Sequence, residues 1–440
     1  MKILLFFLAV VIMLQNKTAH SETYPVLYVA PNGEATWPCG LLSHPCKNIE
    51  TAVAHANDYA TTTIKVAQGE YLEHIYITSS LPASPTEKLV IEGGWDSTFT
   101  TQDRDPLLTR LSPSANNAVV TISPSSGNHA NLRLVNLSFY GLTDLQRAGI
   151  ESIVIGSTVN LEIEQGVIES FRGNGITLTT YDNGSITFIL HDTIVQGNFQ
   201  FPQNNPWPGA GVYVYVDNSG TAAVTMTNNR IVDNQTTSDG GGLYFACNNG
   251  ELHATLKNNL LAGNQGGYGG AIYAGSSGSG TMTLDLVNST ISNNSALIGQ
   301  GITLASNTTS TSQVYLKNSI VWQDGTDIRL RQIGASSLSL MADYSIVGEV
   351  DITEGGTYDN KPTNIHSDPL LDSSYHISSA SPARDNALCG LFIFGHYARR
   401  APYDDIDGDL RPQGDITLGC DIGADEYKFP WILFNAVLAQ

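Results

Sequence analysis

From about residue 111 onward, apolar and polar residues alternate in short runs that end at an asparagine. Leu252, Ala254 and Leu256 lead to Asn258, and Met282, Leu284 and Leu286 lead to Asn288. A period of two marks a half-buried strand whose apolar side chains face inward. The runs recur: TNNRIVDN, KNNLLAGN, NSTISNN and KNSIVWQD place Asn228, Asn258, Asn288 and Asn318 at intervals of 30 residues. Asn136, Gln165 and Asp192 extend this column toward the N-terminus at intervals of 29, 27 and 36. Three residues on runs an apolar column that includes Ile231, Leu261 and Ile291, and three further a second amide column of Asn198, Asn234, Asn264 and Asn294. A second strand follows glycines in GNGITL, GAGVYV, GGGLYF, GGAIYA and GQGITL, aligning Ile176, Val212, Leu243, Ile272 and Ile302.

Repeats of this length, each too small to bury a face alone, predict a solenoid. The expected fold is all-β: a single-stranded right-handed parallel β-helix with three short strands per coil of about 30 residues, coils stacking about 4.8 Å apart. The column Asn136, Gln165, Asp192, Asn228, Asn258, Asn288, Asn318 is expected to face inward at a turn as a structural ladder. There each amide would bond backbone and the next rung. Residues 22–110 read as an N-terminal cap and first coils, with a helix near Asn48 to Asp58 whose Ile49, Val53 and Ala56 would cover the open end. Residues 111–366 form the coil proper. After Ser367 the period is lost and Pro, Asp and Cys accumulate, so residues 367–440 are expected to be a loop-rich C-terminal cap.

Residues 1–21 read as a secretory signal peptide: Lys2, an apolar run from Ile3 to Leu14, and Ala19-His20-Ser21 as a small-x-small cleavage site. The run is too short for a transmembrane span, which needs roughly 20 residues. The chain is therefore expected to be secreted or displayed at a bacterial cell surface. A formal charge of −20 opposes nucleic acid and anionic lipid, and leaves polysaccharides, cell-surface glycans and proteins as partners. Five cysteines in an exported chain suggest two short-range pairs, Cys39 with Cys46 and Cys389 with Cys420. Cys247 is left over, at an inward strand position where a buried inert thiol is expected.

LYVAPNGEATWPCG, PCKNIETAVAHA, IKVAQGEY, IEGGWDSTF, the N-x-x-I-x-x-N and G-G-x-I repeats and the terminal DIDGDLRPQGDITLGCDIGADEY together resemble bacterial surface proteins of the pectin-lyase-like superfamily. More narrowly, they resemble members with a choice-of-anchor Q C-terminal domain and repeats like those of polymorphic outer-membrane proteins. Asp421 to Tyr427 carries the most specific part of the likeness. The resemblance implies a surface-displayed β-helix. In such proteins an anchoring tail usually follows, whereas here Lys428 to Gln440 are apolar and shorter than a bilayer span.

A polysaccharide lyase or glycoside hydrolase would need carboxylates, or an acid with a basic partner, converging on one outward face. The aligned columns bring Arg133 beside Glu162, which reads as a solvated ion pair, and no catalytic cluster emerges. After the glycines the outward column reads Thr177, Tyr213, Tyr244, Tyr273, Thr303, with Tyr215 two residues along and Trp207 in a Pro-rich loop entering the same strand. These aromatic residues are the candidate carbohydrate-binding strip, against the reading that stacked tyrosines merely stabilise a ladder as aromatic cross-strand pairs do. Asp405, Asp407 and Asp409 alternate in a loop that would suit calcium, the one cofactor the sequence admits, or make a solvated turn, since the twelfth-position Glu of an EF-hand is missing. The reading that results is a non-enzymatic glycan-binding or adhesion protein, with a divergent lyase or hydrolase as the alternative.

Overall fold

The computed structural model describes residues 24–142, 147–200, 208–393, 396–399, 401–412 and 419–428. Residues 1–21, Trp207 and the tail after Lys428 lie outside the described residues.

Each complete coil carries the three strands the periodicity predicts, for example Glu251–Lys257, Leu260–Ala262 and Ile272–Ser277. The long strands stack into a twelve-stranded parallel sheet from Val26–Glu34 to Thr357–Asn360. The short strands and the strands after the glycines join in a second, eighteen-stranded network. Parallel crossovers of this kind wind right-handed, so the chain is a right-handed parallel β-helix. Register follows the repeat: Met226 pairs with Leu256, and Leu256 with Leu286. One element was not foreseen in the sequence. Phe199–Gln200, Gln235–Thr236, Gln265–Tyr268 and Ser295–Ile298 form a four-stranded parallel flange beside the glycine loops.

Inward columns such as Leu190, Met226, Leu256, Leu286 and Leu316 are buried in one continuous core. A large aliphatic side chain gains about 1.5–3 kcal/mol from such burial. At the N-terminal end the helix Ile49–His55 buries Ile49, Ala52 and Val53 over the first coil. Its N-cap Asn48 makes no side-chain cap. Instead Glu73, on the strand Gly69–Glu73, accepts the Ile49 and Glu50 N–H groups at 2.8 and 3.1 Å. Backbone donors that a helix start leaves open are thereby satisfied from outside the helix.

The asparagine column is real, but its side chains do not point inward. All seven of its members sit at positive φ, between 46° and 57°, in the left-handed bend that ends the long strand. Asn and Asp tolerate that region better than other side chains. The bend breaks the alternation, so the next residue turns inward: Asn229, Asn259, Ser289, Ser319 and Ser345 are fully buried. Asn229 N–H donates to Asn259 Oδ1 at 3.0 Å, Asn259 N–H to Ser289 Oγ at 3.3 Å, and Ser289 N–H to Ser319 Oγ at 3.2 Å. The second amide column does face inward, with Asn198, Asn234, Asn264 and Asn294 bonded rung to rung.

What covers the bend column from Asn258 to Asn318 is the C-terminal segment. The expected cap is a lateral strap that runs back along the turns. Leu388 O accepts from Asn318 Nδ2 at 3.0 Å, Asp421 O from Asn288 Nδ2 at 3.3 Å, and Asp404 O from Asn258 Nδ2 at 2.7 Å. Farther along, Asp407 pairs with Arg230 at 2.5 Å. The strap therefore interrupts the side-chain ladder between Asn258 and Asn288, while Asn258 Nδ2 still donates to Asn228 Oδ1 and Asn318 Nδ2 to Asn288 Oδ1. Its clasp is Arg411, whose side chain is fully buried. Its guanidinium donates to Asn258 Oδ1, to the Asp421, Gly423 and Asp425 carbonyls and to Glu426 Oε2. Cys389–Cys420 ties the two halves of the strap, and Cys39–Cys46 closes the N-terminal loop, as the spacing suggested. Cys247 is buried and unpaired, with its thiol pKa pushed up by that burial.

Buried carboxyls give the fold a pH dependence. Burial raises Glu73 and Asp327 to about 7 and Asp425 to about 6. A carboxyl whose folded pKa exceeds its unfolded value holds an extra proton in the folded state between the two, so its part of the stability declines as pH rises through that window. His191, raised mainly by its hydrogen bond to Asp192, acts in the same direction above its unfolded value. The urea midpoint is expected to fall steadily from pH 5 to pH 8. A flat or rising midpoint over that range contradicts this assignment.

Candidate functional site

Register places Tyr213, Tyr244 and Tyr273 on consecutive rungs, with Thr177 before them and Thr303 after. Identical side chains on rungs about 4.8 Å apart meet face to face. Tyr213 and Tyr244 stack at 5.1 Å and 8°, and Tyr244 and Tyr273 at 5.0 Å and 6°. The flat outward strip expected from the sequence is therefore a stack seen edge-on. Tyr213 is only 3% exposed and Tyr244 has a ring against each of its faces. Gly240, at φ +69°, passes so near that an added Cβ would lie 3.0 Å from Tyr244 Cβ.

The stack ends where Thr303 replaces tyrosine, so the second face of Tyr273 is turned toward that smaller rung. Beside it opens a groove of about 170 Å³, with Ala246, Gly275 and Ala305 as its floor. Ser277 and Asn307 stand on one rim and Arg331 closes the far side. Gly275 has no room for a side chain, since a Cβ there would lie 2.8 Å from the Tyr273 ring. Tyr215 lines the other end and donates from its hydroxyl to Asp217 at 3.2 Å. Burial lifts Tyr215 and Tyr273 to about 12 and Tyr213 and Tyr244 higher, so all four phenols stay neutral. Arg331 pairs with Glu354 at 2.9 Å.

Asp405, Asp407 and Asp409 do not converge. The Asp405 carboxylate is buried and accepts the N–H groups of Asp407, Asp409 and Glu426. Asp407 pairs with Arg230 and His376, and Asp409 with Lys428. The loop is a turn closed by its own first residue, and each remaining charge has a cationic neighbour.

A charged cluster that the sequence columns only hinted at lies on the long-strand sheet. Glu162, Glu164 and His191 bring their polar atoms within 4.8 Å of one another. Arg133 fills the space between the carboxylates, 3.2 Å from Glu162 and in contact with Glu164. Lys88, on the segment before Leu89–Trp95, reaches Glu162 at 2.5 Å. His191 and Glu164 share a register column and were legible in sequence; Lys88 arrives from 74 residues away.

Fold and groove together define a right-handed parallel β-helix with a tyrosine-ended slot on its post-glycine sheet. No family model matches the chain, and no curated protein matches it. Among solved structures it is similar to a crystal structure of pectate lyase Pel9A, with 14% identity and a TM-score of 0.42 over 92% of this chain and 97% of that one. The fold assignment rests on the strand pairing described above.

Proposed function

We propose that this chain is an exported or cell-surface protein that binds a polysaccharide or cell-surface glycan without transforming it. The observation that carries this reading is the groove beside the Tyr273 ring, whose floor is reduced to Ala and Gly and whose rim is Ser277, Asn307 and Arg331. Aromatic walls with a few placed hydrogen-bonding groups suit a pyranose ring and its hydroxyls. No carboxylate lines the groove among the described residues, and its tyrosines are neutral, so the walls supply binding groups rather than an acid–base pair. Two disulfides fit an oxidising compartment. Among the described residues no helix is long and apolar enough to cross a membrane.

The test is a glycan array read with the purified chain. Ala305→Leu should fill the groove and Arg331→Ala should open its far side, each lowering binding about tenfold or more with little change in unfolding temperature. Glycan binding untouched by both substitutions removes the groove from consideration. Incubation with pectic, alginate and neutral polysaccharides should release neither reducing ends nor unsaturated products.

A further inference from the structure

A second cleft lies on a different face of the coil, over the long-strand sheet. Its volume is about 260 Å³, its floor is built by Asn160, Glu162, Thr187 and Ile189, and the segment Pro85–Lys88 forms its wall. We propose that this cleft is a second binding site, one that takes a short neutral oligosaccharide.

Asn131 Nδ2 donates to Pro85 O at 2.9 Å and to Glu87 O at 3.0 Å, which pins the wall to the sheet. Both Asn131 donors are thereby spent, so its Oδ1 accepts, and Asn160 Nδ2 is the donor to it at 2.7 Å. This fixes the orientation of the Asn160 amide, because a flipped group would set two acceptors against each other. Asn160 Oδ1 is left over, and in register one rung later stands the exposed Thr187 hydroxyl. Neither has a protein partner among the described residues.

The charges decide the class of ligand. Glu162 is held by Lys88 and Arg133, Glu164 by Arg133, and His191 by Asp192, while Glu87 stands exposed on the wall, so the charge left over in and beside the cleft is negative. These contacts hold Glu162 ionised below its usual range despite its partial burial, and with carboxylates in excess the cleft turns anionic ligands away. What the cleft offers is neutral: a carbonyl acceptor and a hydroxyl on adjacent rungs about 4.8 Å apart, over the aliphatic surfaces of Ile189 and Pro85. A pyranose presents hydroxyls around an apolar ring body at a comparable spacing. Ordering cost is low, since the wall and amides are held by bonds already made.

Isothermal titration of the full chain with cellotriose, maltotriose and mannotriose tests the proposal. At least one trisaccharide should bind, with affinity reduced about tenfold by Asn160→Ala and several-fold by Thr187→Val, while Lys317→Ala, an exposed position farther along the same sheet, leaves that affinity unchanged. Thr187 is exposed, so Thr187→Val reads the cleft even if Asn160→Ala unfolds. The proposal is overturned if none of the three binds, or if binding ignores both cleft substitutions. Binding sensitive only to Arg331→Ala overturns it equally, while sparing the glycan reading of the tyrosine groove.

Discussion

Arg411→Leu is expected to destabilise the C-terminal strap by about 3–5 kcal/mol, the range for removing one partner from a buried ion pair. The Arg411 side chain has no exposed surface, and Glu426 beside it is 3% exposed. Leucine would leave the Glu426 carboxylate without its cation and remove the donor from three backbone carbonyls and from Asn258 Oδ1. None of these groups can turn to water without the strap lifting. The expected result is therefore selective: hydrogen exchange and limited proteolysis should increase sharply between residues 365 and 428 while the coil before Asn228 stays protected. Adding Glu426→Leu should restore only part of the loss, because the carbonyls and the Asn258 amide remain unanswered. Uniform protection across the strap in Arg411→Leu would show that the clasp carries little of its docking energy.

Asn259→Leu is expected to be nearly as costly, and to act on the coil itself. Asn259 is fully buried, donates to Met226 O at 2.9 Å and to Lys257 O at 3.0 Å, and accepts from both the N–H and the Nδ2 of Asn229. A leucine of similar size fills the space but strands two donors and at least one acceptor in the interior. At about 1–3 kcal/mol for each buried group left unsatisfied, the sum is about 3–5 kcal/mol after the apolar gain is set against it. Urea unfolding should show the midpoint falling with the slope unchanged. A loss below about 1 kcal/mol would mean that neighbouring rungs re-pair around the gap.

These cases show what the sequence could disclose. The rung register was legible because a strict 30-residue interval aligns Asn228, Asn258 and Asn288 without any assumption about the turn between strands. The direction of that column was not legible. Alternation predicts inward side chains only while the backbone stays extended, and the left-handed bend at Asn258 passes the inward place to Asn259. The tyrosine column was found for the same reason as the ladder, yet stacking turned its faces along the coil axis and left Tyr273 as the ring at the edge of the groove. Long-range partners were invisible. Lys88 meets Glu162 and Arg411 meets Asn258 through connections with no period at all. The terminal DIGADEY was singled out as a signature; the structure gives it a physical task, since Asp421, Gly423 and Asp425 lend carbonyls and Glu426 its carboxylate to one arginine.

Within the column from Asn136 to Asn318, coil length varies by 9 residues, from the 27 between Gln165 and Asp192 to the 36 between Asp192 and Asn228. In the sequence the extra residues of the longer coil fall between Phe199 and Ala210, next to the flange strand Phe199–Gln200. On the opposite corner the strap is fastened to successive rungs, so one residue added between Asn258 and Asn259 would put every downstream anchor out of phase with its socket. The coil thus has one edge free to grow and one edge locked. An engineer wishing to display a foreign peptide on this scaffold should splice it after Gln200, past the paired residues of the flange strand, where this coil already carries its added length and an insertion costs little more than loop entropy.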